Sequence, residues 1–243
     1  MKYDVIVIGA GLGGLTAGAK LAREGMKVLV IEQHSRPGGC ATTFKRGEFT
    51  FEVGLHEMDG RGHRDLKNRI FSELNVTGNV EFLTVPELYP FIRGHLAVTV
   101  PHDPQMAAVR LSEMFPDEKE GISRYYDQLL NTKKRTAAGT DTDISVGNFL
   151  DSIISSEDLK LILLGNLGYF HDDPYSLSLS YYSIAQGSYY TNGASFIKGG
   201  SQRLSDHLAA YILRNGGEVL LNHLVTQILT GGNRVTGLTC RRR

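Results

Sequence analysis

The chain has no tryptophan, only two cysteines and seven prolines among 243 residues, and no excess of either charge. Cys40 and Cys240 are too few and too far apart for a disulfide framework or a CxxC metal or redox site, so a reducing cytoplasm is the expected compartment. No run of 18 apolar residues is available to span a membrane. The apolar start of the chain passes into a glycine pattern instead of a signal-peptide cleavage site. Peripheral contact with a membrane stays open. The 26 basic and 26 acidic residues cancel, which removes the electrostatic case for a nucleic-acid partner.

What the chain does have is glycine, 28 residues of it, placed in patterns. Val5 to Ile8 is a continuous β-branched run, as in a buried parallel strand. Gly9, Gly11 and Gly14, with Ala10 and Gly13 between them, form GxGxxG. Such glycines permit a tight turn, close backbone approach to a pyrophosphate and close packing of helix on strand, and the diphosphate sits on the free N–H groups of the helix N-terminus. Leu15, Ala19 and Leu21 face inward along the helix, Gly25 ends it, and Lys27 to Ile31 form a second strand. Glu32 follows that strand, 18 residues after Gly14, where a carboxylate can accept both hydroxyls of an adenosine ribose; Gln33 lies beside it.

Alone, GxGxxG also fits a glycine-rich turn that binds nothing; strand, helix and acid together point to a dinucleotide. They do not separate NAD from FAD. The longer spacing of Gly9, Gly11, Gly14, Gly18 and Gly25 resembles the signature of flavoproteins of the glutathione reductase type, which implies FAD.

The next segment is QHSRPGGCATTFKRGEFTFEVGLHEMDG. Gly38 and Gly39 after Pro37 let a loop run close to a ligand. This resembles the PGG segment of the phytoene desaturase and carotenoid isomerase families, where it lies along the FAD. The EQH start, the GGC core, the Thr-Phe pair and the Gly-x-His of Gly54, Leu55 and His56 are similar to all-trans-retinol saturases. Cys40 stands where phytoene desaturases place an arginine, and Lys45 or Arg46 are the candidates to replace that charge. A second block, SFIKGGSQRLSDHLAAYILRNGGEVLLNHLVTQILTGGNRVTGL, resembles the family's return to the dinucleotide fold, in which the valine matching Val225 meets the adenine through its backbone.

The resemblance covers residues 3–60 and 195–239. It implies a three-layer, Rossmann-like α/β fold and an FAD-dependent oxidoreductase, whether desaturase, saturase or isomerase, acting on a hydrophobic polyene such as a carotenoid or retinoid. It implies for His56 a hydrogen bond to the flavin or protonation of a substrate carbon, with a structural loop histidine as the alternative. Family members continue well beyond the point matching residue 239, so a shortened chain is expected. The competing readings are a non-catalytic FAD-binding fragment and a flavin-free NAD-dependent dehydrogenase. The second leaves PGG unexplained.

Residues 61–194 break the βαβ rhythm and read as an inserted, mostly helical substrate-side region, leaving 1–60 and 195–243 as the dinucleotide fold. A hairpin is expected at 88–100 around Gly94, and helices at 104–115, 117–134, 146–164 and 176–189. The aromatics Tyr169, Phe170, Tyr175, Tyr181, Tyr182, Tyr189, Tyr190 and Phe196 suit either a domain core or an apolar cleft for a polyene. His171, Asp172 and Asp173 before Pro174 read as a turn, and no metal is expected.

Overall fold

The computed structural model describes residues 2–59, 65–137 and 144–243, with backbone alone at 133–137. In chain order the first elements are β1 (Val5–Ile8), α1 (Leu12–Arg23), β2 (Val28–Ile31), β3 (Thr43–Arg46), β4 (Phe49–Glu52), β5 (Met58–Asp59), α2 (Leu66–Glu73) and β6 (Phe82–Val85). There follow β7 (Glu87–Arg93), β8 (Leu96–Pro101), α3 (Pro104–Met114), α4 (Lys119–Ala137), α5 (Val146–Ile153), α6 (Glu157–Leu163) and α7 (Leu179–Asn192). The chain closes with β9 (Ala194–Ile197), α8 (Gln202–Arg214), β10 (Glu218–Leu220), β11 (His223–Gly231) and β12 (Arg234–Arg242). These elements form two compact units, one of Met1–Met58, Leu66–Leu83 and Phe196–Arg243, the other of Asp59–Asp65 and Thr84–Ser195.

The first unit is built on a parallel sheet of order β1-β2-β10, with Val5 opposite Val28 and Glu218 opposite Leu29. Strand β2 is central, so all four of its residues, Val-Leu-Val-Ile, are buried. The chain can put apolar side chains on both faces there because helices and loops cover a parallel sheet on either side. Helices α1 and α8 lie together on the sheet and bury Ala19 with Leu15, Leu204, Leu208 and Ile212, the last four each worth roughly 1.5–3 kcal/mol as large aliphatic side chains leaving water. Gly18 makes that approach possible: a Cβ there would lie 3.0 Å from Val30 Cγ2 and 3.2 Å from Ile212 Cδ1. Strands β11 and β12 pair antiparallel, and β3 pairs with β4 from Thr43 opposite Glu52 to Arg46 opposite Phe49.

One boundary differs from the sequence expectation. Residues 66–83, read as the start of an inserted region, belong to the first unit, where Phe71, Leu74, Val76 and Val80 join the core of α1 and α8. Glu73 then takes ion pairs from Lys20 at 2.7 Å and Arg23 at 3.3 Å on α1. The expected break at 60/61 lies outside the described residues.

The second unit packs α3 to α7 against the β7–β8 hairpin, which turns at Gly94. The helix expected over 146–164 is two helices, α5 and α6. Between them the Glu118 carboxylate accepts the Ser155 and Ser156 N–H groups, and the Ser156 hydroxyl accepts from Leu159 N–H to start α6. Of the late aromatics, Tyr182 and Tyr190 are in this unit's core, whereas Tyr169, Tyr175 and Tyr181 are exposed. Tyr182 forms a hydroxyl–hydroxyl bond of 2.9 Å with Tyr125. Burial raises the Tyr182 hydroxyl well above its ordinary pKa, and pushes that of Tyr190 up to about 12. The His171–Asp173 segment forms a turn in which Asp173 N–H donates to His171 Nδ1 and Asp173 accepts from Tyr175 N–H.

Candidate dinucleotide site

β1 ends in Ile8, and Gly9 turns the chain with φ +96° before α1 begins at Leu12. Gly11 is the N-cap and supplies no side chain to the first-turn N–H groups of α1, which therefore remain available for an anion. A Cβ on Gly9, Gly11 or Gly13 would meet nothing within 4 Å, so this end of the helix faces open space. Gly14 is the opposite case, since a Cβ there would lie 2.1 Å from the Gly9 carbonyl oxygen. Helix and turn can be this close only without a side chain.

Glu32 is buried at the end of β2. Its Oε2 accepts from Ala10 N–H at 2.7 Å and its Oε1 from His34 N–H at 2.8 Å. The acid thus braces the glycine turn as well as marking the strand end. Each carboxylate oxygen retains acceptor capacity beyond these bonds. A cavity of about 130 Å³ lies beside it, lined by Ile8, Gly9, Ile31, Glu32, Gln33, His223, Leu224 and Val225. Gln33 also accepts from Arg243 Nη1 at 3.0 Å.

The PGG loop is folded onto the same turn. Gly38 N–H donates to Ala10 O at 2.7 Å, and Gly11 and Gly38 form a parallel bridge. Gly38 has φ +129°, and a Cβ on it would come within 2.4 Å of Ala41 O. Gly39 lies near Gly11, where its Cβ would be 3.3 Å from the Gly11 Cα. Gly9, Ala10, Gly11, Gly13, Gly14, Gly38 and Gly39 therefore form one backbone cluster, with Glu32 beneath it and Val225 across the small cavity.

Four residues quoted in the motifs, but given no role from sequence, hold this cluster. Glu52 accepts from Ser201 N–H at 3.0 Å, from the Ser201 hydroxyl, and from Thr43 Oγ1 at 3.0 Å. Thr43 Oγ1 accepts from Gln202 N–H at 3.2 Å, and Gln202 Nε2 donates to Pro37 O at 3.0 Å. The two sequence blocks meet here, far apart in the chain, so spacing alone carried no signal of it. His56 is exposed and lines neither the small cavity nor the larger one of about 660 Å³ in this unit, which Leu12, Ile70, Phe71, Leu74, Leu204 and Leu208 help to line. Its neighbour Glu57 has a raised carboxyl pKa, chiefly from burial, which nearby His56 partly offsets.

The fold and this turn define a Rossmann-like dinucleotide-binding domain. Residues 7–74 match the NAD(P)-binding Rossmann-like domain model. Prolycopene isomerase 2 from an Oncidium hybrid cultivar is 37% identical over 52% of this chain and 22% of its own length. The all-trans-retinol 13,14-reductase of Danio rerio is 27% identical over 86% of this chain and 39% of its own. Among solved structures, an oxidoreductase from Methanosarcina mazei superposes with a TM-score of 0.73 at 20% identity over 98% of this chain and 56% of that one. Cyclohexylamine oxidase from Brevibacterium oxydans gives 0.61 at 23% identity over the whole chain and 57% of its own, a likeness of fold. The chain is thus similar to part of the prolycopene isomerases and all-trans-retinol 13,14-reductases. It spans between about a fifth and two fifths of the length of the curated relatives it matches.

Proposed function

We propose that this chain forms the FAD-binding part of an oxidoreductase that desaturates, saturates or isomerises a hydrophobic polyene of the carotenoid or retinoid type. The observation that carries the cofactor half of this reading is the convergence of Glu32, Gly9 and Val225 on one cavity beside the open end of α1. In it Glu32 holds the adenosine ribose, the first-turn N–H groups of α1 with Gly11, Gly13 and Gly39 hold the diphosphate, and Val225 meets the adenine. Bound FAD supplies hydride and electron transfer that side chains cannot. The residues of this chain bind it, orient it and keep the turn rigid. Relatives named for prolycopene and all-trans-retinol support the polyene half. His56 is the candidate for a hydrogen bond near the flavin.

A second reading is FAD binding without turnover. An absorption spectrum before and after adding FAD and gel filtration tests the cofactor assignment. A retained flavin band supports it, and a colourless protein overturns it. Turnover of all-trans-retinol or a cis-carotene by the loaded chain then separates the two readings. Among the described residues no helix is long and apolar enough to cross a membrane. We place the chain in a reducing, cytoplasm-like compartment, consistent with its two exposed free cysteines, and at a membrane surface from which such a substrate is drawn.

A further inference from the structure

Beside the small cavity at the end of β2, main-chain hydrogen bonds fasten three segments of the chain together. His223 N–H donates to Glu32 O at 2.9 Å, Asn222 N–H to His34 O at 3.0 Å, and Arg243 N–H to Asn222 O at 2.8 Å. Asn222 has φ +58°, a left-handed conformation that asparagine tolerates better than most residues. The residue after β12 is thereby fixed near residues 32–34. Arg243 uses that position, since its Nη1 donates to Gln33 Oε1 at 3.0 Å.

A guanidinium carries donors only, so Gln33 must turn its amide oxygen to Arg243 and its amide nitrogen elsewhere. Among the described residues that nitrogen has no partner. Gln33 lines the cavity of about 130 Å³, and the other polar side chains of the lining are Glu32 and His223. Glu32, as a carboxylate, only accepts. His223 Nδ1 lies 2.7 Å from Leu221 O, to which it can only donate, so the neutral ring keeps Nε2 as an acceptor. The Gln33 amide nitrogen is therefore the side-chain donor that this lining offers.

On the reading that the cavity holds the adenosine of FAD, we infer that Arg243 is a positioning residue for the base: by holding Gln33 Oε1 it directs the Gln33 amide nitrogen into the cavity, to donate to an acceptor nitrogen of the adenine ring. The chemistry divides accordingly. Ribose hydroxyls are donors and suit Glu32, whereas the adenine ring nitrogens are acceptors and need the amide. Without Arg243 the amide rotates, and in the reversed orientation its oxygen opposes those ring nitrogens. Only a fraction of the molecules is then ready to bind, and the apparent affinity falls by that fraction.

The test is calorimetric titration of the full chain with ADP and, separately, with inorganic pyrophosphate, which shares the phosphates and lacks the adenosine. Gln33→Met should weaken ADP about tenfold and Arg243→Met about three- to tenfold, with pyrophosphate binding unchanged in both. In a Gln33→Met background, Arg243→Met should cost ADP affinity nothing further, because its effect passes through Gln33. A wild type that binds ADP no better than pyrophosphate overturns the adenosine reading of the cavity and the role of Arg243 with it. If the wild type prefers ADP and Arg243→Met binds ADP equally tightly, the role of Arg243 alone falls. Weakening of ADP and pyrophosphate alike would mean that Arg243 acts through its charge and also overturns the role, as does an Arg243→Met loss that persists in full when Gln33 is already methionine.

Discussion

Glu32 and Ala10 are joined by a 2.7 Å hydrogen bond from the Ala10 N–H to a buried carboxylate oxygen, 22 residues away in sequence. The bond ties the end of β2 to the glycine turn after β1, so one side chain shapes the turn and, in the proposed function, also binds a ribose. Glu32→Ala should therefore have two effects. It leaves the Ala10 and His34 N–H groups without their acceptor, and it removes the acceptor for the ribose hydroxyls. Each loss is worth about 1–3 kcal/mol. The expected outcome is a lower melting temperature together with FAD affinity reduced at least about tenfold by fluorescence titration. Unchanged FAD affinity in a folded variant would sink the ribose assignment.

Gly13 and Gly14 are neighbours with opposite surroundings, and alanine should separate them. At Gly14 a methyl group meets the Gly9 carbonyl oxygen at 2.1 Å, a backbone atom that cannot swing aside. Gly14→Ala should destabilise by about 1–3 kcal/mol or more as helix and turn are forced apart. At Gly13 the added methyl meets nothing within 4 Å, and alanine is the better helix former by about 1 kcal/mol. Thermal melts of the two variants without cofactor check this. Equal destabilisation would contradict the different packing.

These cases show which features sequence could disclose. The β1-turn-α1-β2 unit was legible because its signals are local: a β-branched run, glycines at fixed offsets, then the helical period of Leu15, Ala19 and Leu21, of which Leu21 is only partly buried and Ala22 is buried as well. The β7–β8 hairpin and the starts of α3 and α5 were legible for the same reason. The placement of α2 was not. Its single fully inward aromatic, Phe71, gives an amphipathic helix that any apolar surface could accept, and only the Glu73 pairs with α1 identify the partner. The late tyrosines were ambiguous because a ring lining a cleft and a ring in a core follow the same periodicity. Tyr182 is settled by the hydroxyl bonds it makes to Tyr125 and Leu163 O within the core.

The pairing of Glu52 with Ser201 connects the post-PGG hairpin to the start of α8, and it should behave as a unit. Glu52→Ala orphans the Ser201 N–H, the Ser201 hydroxyl and the Thr43 hydroxyl together, for about 1–3 kcal/mol of stability. Because Gln202 from the same corner also holds Pro37 O, the PGG loop should loosen with it. The check is a double-mutant cycle of Glu52→Ala with Ser201→Ala, in which the double variant is expected to lose less than the two single losses added. Strict additivity would mean that the two side chains do not act together.

The ion cluster at Glu73 gives a pH dependence with a definite sign. Hydrogen bonds from Lys20 first and Arg69 second hold the Glu73 carboxyl below its usual 4.5. A carboxyl depressed in the folded state adds stability that is fully present above its unfolded value and is lost as pH falls through the folded one. Lys20 is shifted the other way, chiefly by Glu73, so its share persists until pH rises past the ordinary lysine value of 10.5. Wild type and Glu73→Gln should therefore differ in melting temperature at about pH 6 and converge well below about pH 4. The cluster is at the surface, so the gap should be small and should shrink in high salt. A gap that stays constant from neutral to acid pH would show that Glu73 contributes through packing of its stem on α1, and not through its charge.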